Sequence, residues 1–188
     1  MTRTRTAVLA AALLILSACS QPAAGPEPAA AGPLAEIDAL DGMNGKEIVD
    51  HLDRLGGADR PAEIMASVRS DELLVTDGQE EVGVELPDEE FYVSFAPYVD
   101  ATHECYYHSL TTCQGELVEQ DIDVTITTDD GEVLVEETTT TFANGFVGYW
   151  LPRDVEGTLE VSYDGYAGQV PIATGPEDPT CITTLQLS

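Results

Sequence analysis

Asp121-Ile122-Asp123-Val124-Thr125-Ile126-Thr127-Thr128-Asp129-Asp130-Gly131-Glu132-Val133-Leu134-Val135 is the stretch that decides the fold. Ile122, Val124 and Ile126 alternate with polar residues, the period of a strand that buries one face. Asp130-Gly131 tolerates positive φ and predicts a tight turn, after which Val133 to Val135 carries the return strand. The same grammar extends outward. Leu73 to Val75 and Val82 to Leu86 flank Asp77-Gly78, and Phe91, Val93 and Phe95 alternate with Tyr92, Ser94 and Ala96 until Pro97. Leu159, Val161 and Tyr163 run into Asp164-Gly165, Asn144-Gly145 marks another expected hairpin, and Ile182 to Leu187 is strand-like. About seven short strands separated by turn signals predict a mainly β fold, an antiparallel β-sandwich with Trp150 anchoring its core.

Before Glu72 the period is helical. Residues 44 to 57 predict a helix with Asn44 as N-cap, Ile48, Val49, Leu52 and Leu55 inward, and Gly56-Gly57 as the stop. His51 falls on the polar side with Asp50, Asp53 and Arg54, as a solvated histidine. A second short helix is expected after Asp59, with Pro61 in its first turn and Ile64, Met65 and Val68 facing inward. Met43 and Met65 are isolated and read as packing residues. The sandwich is thus expected to follow a small two-helix region.

The first residues read as an address. Arg3 and Arg5 precede a short apolar run, Ala7 to Leu16, and Leu16-Ser17-Ala18-Cys19 has the form of a bacterial lipobox. Residues 1–18 are expected to be a lipoprotein signal peptide, with Cys19 carrying the lipid anchor. Residues 19–39, rich in Ala, Pro and Gly, form a linker. Residues 40–81 form the helical region, and residues 82–188 the sandwich. The charge is -28, from 35 acidic and 7 basic side chains. Nucleic acid is a poor partner for such a surface, and an anionic membrane would repel it, so attachment has to be covalent or inserted.

Chemistry concentrates in His103-Glu104-Cys105-Tyr106-Tyr107-His108-Ser109-Leu110-Thr111-Thr112-Cys113, with Cys181 far downstream. Three cysteines besides Cys19 cannot all pair within one chain. Thiolates suit soft Cu(I), while a shell completed by His103 or His108 would suit zinc. Three readings stay open on the residues alone: a copper-binding protein, a thiol-disulfide redox protein using Cys105, Cys113 and Cys181, and a disulfide-stapled structural or adhesive sandwich. The absence of Cys-x-x-Cys counts against an independent oxidoreductase. His103 and His108 are open between metal contact and ordinary roles, His103 as a turn residue and His108 as a surface strand position. Gly45-Lys46 lacks phosphate-loop spacing, and no serine nucleophile elbow stands out, so a metal-binding protein is expected in place of an enzyme.

The run Phe91-Tyr92-Val93-Ser94-Phe95-Ala96-Pro97-Tyr98-Val99, the segment from His103 to Cys113, Gly145-Phe146-Val147-Gly148, Leu151-Pro152 and Cys181-Ile182-Thr183-Thr184-Leu185 together resemble the CueP-type copper-binding proteins of the bacterial envelope. The resemblance implies Cu(I) held by Cys105, Cys113 and Cys181 outside the cytoplasm, and a role in copper tolerance by sequestration. It also implies two kinds of partner, an envelope copper-dependent superoxide dismutase that receives the ion and an envelope disulfide reductase that keeps the thiols reduced.

Overall fold

Alternation becomes ten short strands in three sheets in the computed structural model, which describes residues 32–33 and 40–188. The expected signal peptide and lipid-bearing Cys19, and the expected linker apart from residues 32–33, lie outside the described residues. Among the described residues no helix is long and apolar enough to cross a membrane.

One helix, α1 (Gly45–Leu52), precedes the strands. Asn44 caps it with a reciprocal box: its side chain accepts from the Glu47 amide at 3.0 Å and its amide donates to Glu47 at 2.8 Å. Ile48, Val49 and Leu52 are buried, but the helix ends a turn earlier than the sequence predicts, with Asp53 as its C-cap. Only a 3₁₀ turn, Gly57–Asp59, follows. The expected second helix is a strand, β1 (Met65–Val68). Its Ile64/Met65/Val68 spacing is too short to separate the two periods, and pairing with β2 (Glu72–Thr76) decides for the strand. That register buries Ala66 and Val68 and leaves Met65 59% exposed, so Met65 is not a packing residue. β3 (Glu81–Glu85) completes the sheet β1-β2-β3, whose apolar side packs on α1, Tyr92 and Leu110.

The second sheet has the order β10-β4-β7, from β10 (Cys181–Ile182), β4 (Glu90–Phe95) and β7 (Val147–Pro152). β4 pairs antiparallel with β7 and parallel with the two-residue β10. Both faces of β4 are buried, Phe91, Val93 and Phe95 on one and Tyr92 and Ser94 on the other. The third sheet is β6-β5-β8-β9, from β5 (Asp121–Thr128), β6 (Val133–Thr140), β8 (Glu156–Tyr163) and β9 (Tyr166–Ala173), all antiparallel.

One cluster joins the second and third sheets: Phe91, Phe95 and Leu151 meet Ile122, Val124, Ile126, Leu159 and Val161. Each such side chain contributes roughly 1.5–3 kcal/mol of burial. Trp150 does not anchor this core. It is half-buried against Tyr92, 4.8 Å between ring centroids, and donates to Asp50 at 2.8 Å. Asp130-Gly131 and Asp164-Gly165 form hairpins as expected, the latter with positive φ at both residues. Asn144-Gly145 is a turn but not a hairpin, because β6 and β7 belong to different sheets. There the backbones of Gly115 and Gly145 touch: a Cβ on Gly115 would sit 2.4 Å from the Gly145 carbonyl oxygen.

Candidate metal centre

Three local structures deliver the cysteines. Cys181 opens β10, fixed by its register with Ser94 and by its amide bond to the Tyr106 carbonyl at 3.1 Å. Cys113 closes a turn, its amide donating to the Ser109 carbonyl at 3.1 Å, and Arg60 donates to the Cys113 carbonyl at 2.6 Å. Cys105 lies on an irregular segment, half-buried, its thiol 3.4 Å from the Tyr107 carbonyl. The segment is pinned at its start. Glu116 accepts from the amides of Val99, Asp100 and Ala101 at 3.0–3.1 Å, and Thr102 donates to the Thr183 carbonyl at 2.7 Å. Those amide bonds hold the Glu116 carboxyl below its ordinary range.

The three sulfurs are unbridged and converge. Cys105 Sγ lies 3.5 Å from Cys113 Sγ, and Cys181 Sγ lies 3.7 Å from His108 Nδ1. Two groups of donor atoms, each within 4.8 Å of one another, share Cys113: His103 with Cys105, and His108 with Cys181. His103 is exposed, whereas His108, Cys113 and Cys181 are buried. Phe146 walls the site, its ring centroid 4.6 Å from that of His108. An open groove lined by Cys105, Tyr106, Cys181 and Ile172 reaches the sulfurs from outside.

His108 is not a surface residue. Its Nε2 contacts Asp53 Oδ1 at 2.6 Å, and neither side chain is exposed. Asp53 is a hub: Tyr92 donates to its Oδ2 at 2.6 Å, Ser94 at 3.1 Å, and Asn144 Nδ2 donates to its Oδ1 at 2.8 Å. Gly148 makes room for the Tyr92 hydroxyl, since a Cβ there would lie 1.8 Å from it. Burial opposes both charges, yet the mutual attraction and these hydrogen bonds win. Asp53 is held below, and His108 lifted well above, its ordinary value. With Nε2 committed to Asp53, Nδ1 faces the sulfurs. The thiols divide as well. Hydrogen bonding from Cys105 and Cys181, with smaller help from His108, lowers Cys113 into the thiolate range. Proximity to Cys105 and Cys113, together with burial, raises Cys181 and keeps it protonated. The site therefore favours negative charge on Cys113 over negative charge on Cys181.

All five residues expected from the sequence meet here; His51 stays on α1, half-buried and outside the groups. The sequence places Asp53 on the polar side of the helix, and the structure corrects this by burying it. It stands four residues after Val49, on the apolar stripe, so a carboxylate on that stripe was the available signal.

The model of the family described as "Periplasmic copper-binding protein CueP" matches residues 47–186. Among solved structures, one described as "Crystal Structure of S.CueP" shares 43% identity with a TM-score of 0.76, covering 80% of this chain and 92% of that one. No curated protein matches. A match of this extent in sequence and fold makes the chain a member of the CueP family of periplasmic copper-binding proteins.

Proposed function

We propose that this chain is an extracytoplasmic, lipid-anchored Cu(I)-binding protein that holds a single copper ion on Cys105, Cys113 and Cys181, sequesters it in copper tolerance, and hands it on. The observation that carries this reading is the convergence of three unbridged sulfurs around Cys113 in a buried apolar corner. Soft Cu(I) accepts two or three sulfurs, and exclusion of water and hard ligands favours it over harder ions. His108 orients from beside Cys181, and His103 stands at the rim. The lipid on Cys19 and the Ala/Pro/Gly spacer hold the folded part off the membrane. The scaffold assigned to this task is a two-sheet sandwich, supported by the cluster shared between β4-β7 and β5-β8-β9.

The 3.5 Å approach of Cys105 to Cys113 also supports a redox side to this function. Oxidation would join these two sulfurs and remove the copper donors, so an envelope disulfide reductase is the partner this chemistry needs. Delivery to an envelope copper-dependent superoxide dismutase is the corresponding outlet.

Reduced protein titrated with Cu(I) tests the reading. Copper-sulfur scattering in X-ray absorption and protection of the three thiols from alkylation are expected. Each Cys→Ser change should cost more than the roughly 10–100-fold typical of a residue that only orients a ligand. A triple-serine variant that competes for Cu(I) as well as the wild type refutes it.

A further inference from the structure

The two donor groups share one atom and differ in exposure. His103, Cys105 and Cys113 form an outer group whose histidine is exposed and whose Cys105 is half-buried. His108, Cys113 and Cys181 form an inner group that is buried throughout, with Cys181 only 2% exposed. Because Cys113 belongs to both, an ion can pass from one group to the other while bonded to it throughout.

We propose that copper enters on His103, Cys105 and Cys113 and then pivots about Cys113 into the position built by Cys181 and His108. This rests on the Cu(I) reading above and adds a route to it. The geometry favours a pivot: Cys113 is 3.5 Å from Cys105 on one side, and its group-mates Cys181 and His108 lie within 4.8 Å on the other. Copper never has to leave sulfur, so no step requires a bare ion. The exchange balances without an oxidant. Copper stays Cu(I), and its bond to Cys113 Sγ persists. The bonds to Cys105 Sγ and to the His103 ring break as a bond to Cys181 Sγ forms, and Cys181 passes its thiol proton to the departing Cys105 thiolate. His108 stays bonded to Asp53 and faces the sulfurs through Nδ1 without exchanging a proton.

The loop carrying His103 is held by hydrogen bonds of its own chain. Glu116 fixes the amides of residues 99–101, and Thr102 is tied to the Thr183 carbonyl, two residues beyond Cys181. The outer donors are therefore presented from one rigid frame with the inner ones. His103 and Cys105 are the more exposed donors for an arriving ion, while Cys181 borders the groove with only 2% of its surface exposed. Reversed, the same pivot exposes copper to an acceptor without unfolding the site.

Stopped-flow loading from Cu(I)-bicinchoninate distinguishes a route from a single site. His103→Ala removes an outer donor, and it should slow loading about tenfold. Cys181→Ser, or Cys181→Ala if the serine variant does not fold, should trap copper in the outer position. There it should be stripped by bathocuproine disulfonate at least tenfold faster than from wild type, with mixed sulfur and nitrogen scattering. The pivot is overturned if His103→Ala loads at the wild-type rate, or if both Cys181 variants fold and hold no copper while the wild type does. A wild type that binds no Cu(I) overturns the Cu(I) reading itself.

Discussion

Asp53→Asn keeps the shape of the hub and removes its charge. Wild-type Asp53 accepts hydrogen bonds from Tyr92 and Ser94 and pairs with His108, all without solvent exposure, so screening does not discount them. Leaving His108 charged and unpaired would cost about 3–5 kcal/mol. Release of its proton limits that loss. What remains is the replacement of charge-assisted by neutral bonds, about 1 kcal/mol at each of the three partners. The expected loss is therefore about 3 kcal/mol, a large share of the roughly 5–15 kcal/mol that holds an ordinary domain together. Urea unfolding of the reduced, copper-free protein, followed by Trp150 fluorescence, measures it. The pH dependence has a definite sign. Asp53, with a lowered folded value, contributes fully above about pH 3.9 and loses its contribution as pH falls further. His108, with a raised folded value, contributes fully below about pH 6.5 and loses it as pH rises through that raised value. The gap between wild type and variant should be widest between about pH 4 and 6.5. A loss below about 1 kcal/mol, or a gap that does not change with pH, would refute the buried ion pair.

Thr180→Val should cost about 1–3 kcal/mol in thermal unfolding, because the Thr180 hydroxyl accepts from the buried His108 amide at 3.0 Å and donates to the Val68 carbonyl at 2.7 Å. Gly145→Ala should cost about 1–3 kcal/mol in urea unfolding. Its φ of 79° is strained for alanine, and the added Cβ would lie 2.7 Å from the Gly115 backbone. Cys19→Ala should abolish incorporation of labelled fatty acid; lipid mass on the variant, or none on wild type, counts against the anchor.

Most strands were legible because one-sided burial writes itself as alternation, as in Ile122, Val124 and Ile126. The cysteine cluster was legible as composition. Three features were not. Met65–Val68 is short enough to fit either period, and only its pairing with β2 makes it a strand. Asn144-Gly145 announces a turn, but a turn does not say whether the next strand returns to the same sheet. His108 looked exposed because its burial depends on Asp53, 55 positions earlier in the chain. No local pattern encodes a partnership at that distance.

The hub also has a consequence in time. Tyr92, Ser94, His108 and Asn144 stand 39, 41, 55 and 91 positions from Asp53, so each bond closes a long loop. Contacts of such separation form slowly, after local turns and hairpins. Until they close, His108 has no counter-charge and the three thiols have no enclosing wall. A newly exported chain is thus most open to oxidation and to mispairing of its cysteines during this interval. Closure around Asp53 is the event that ends it.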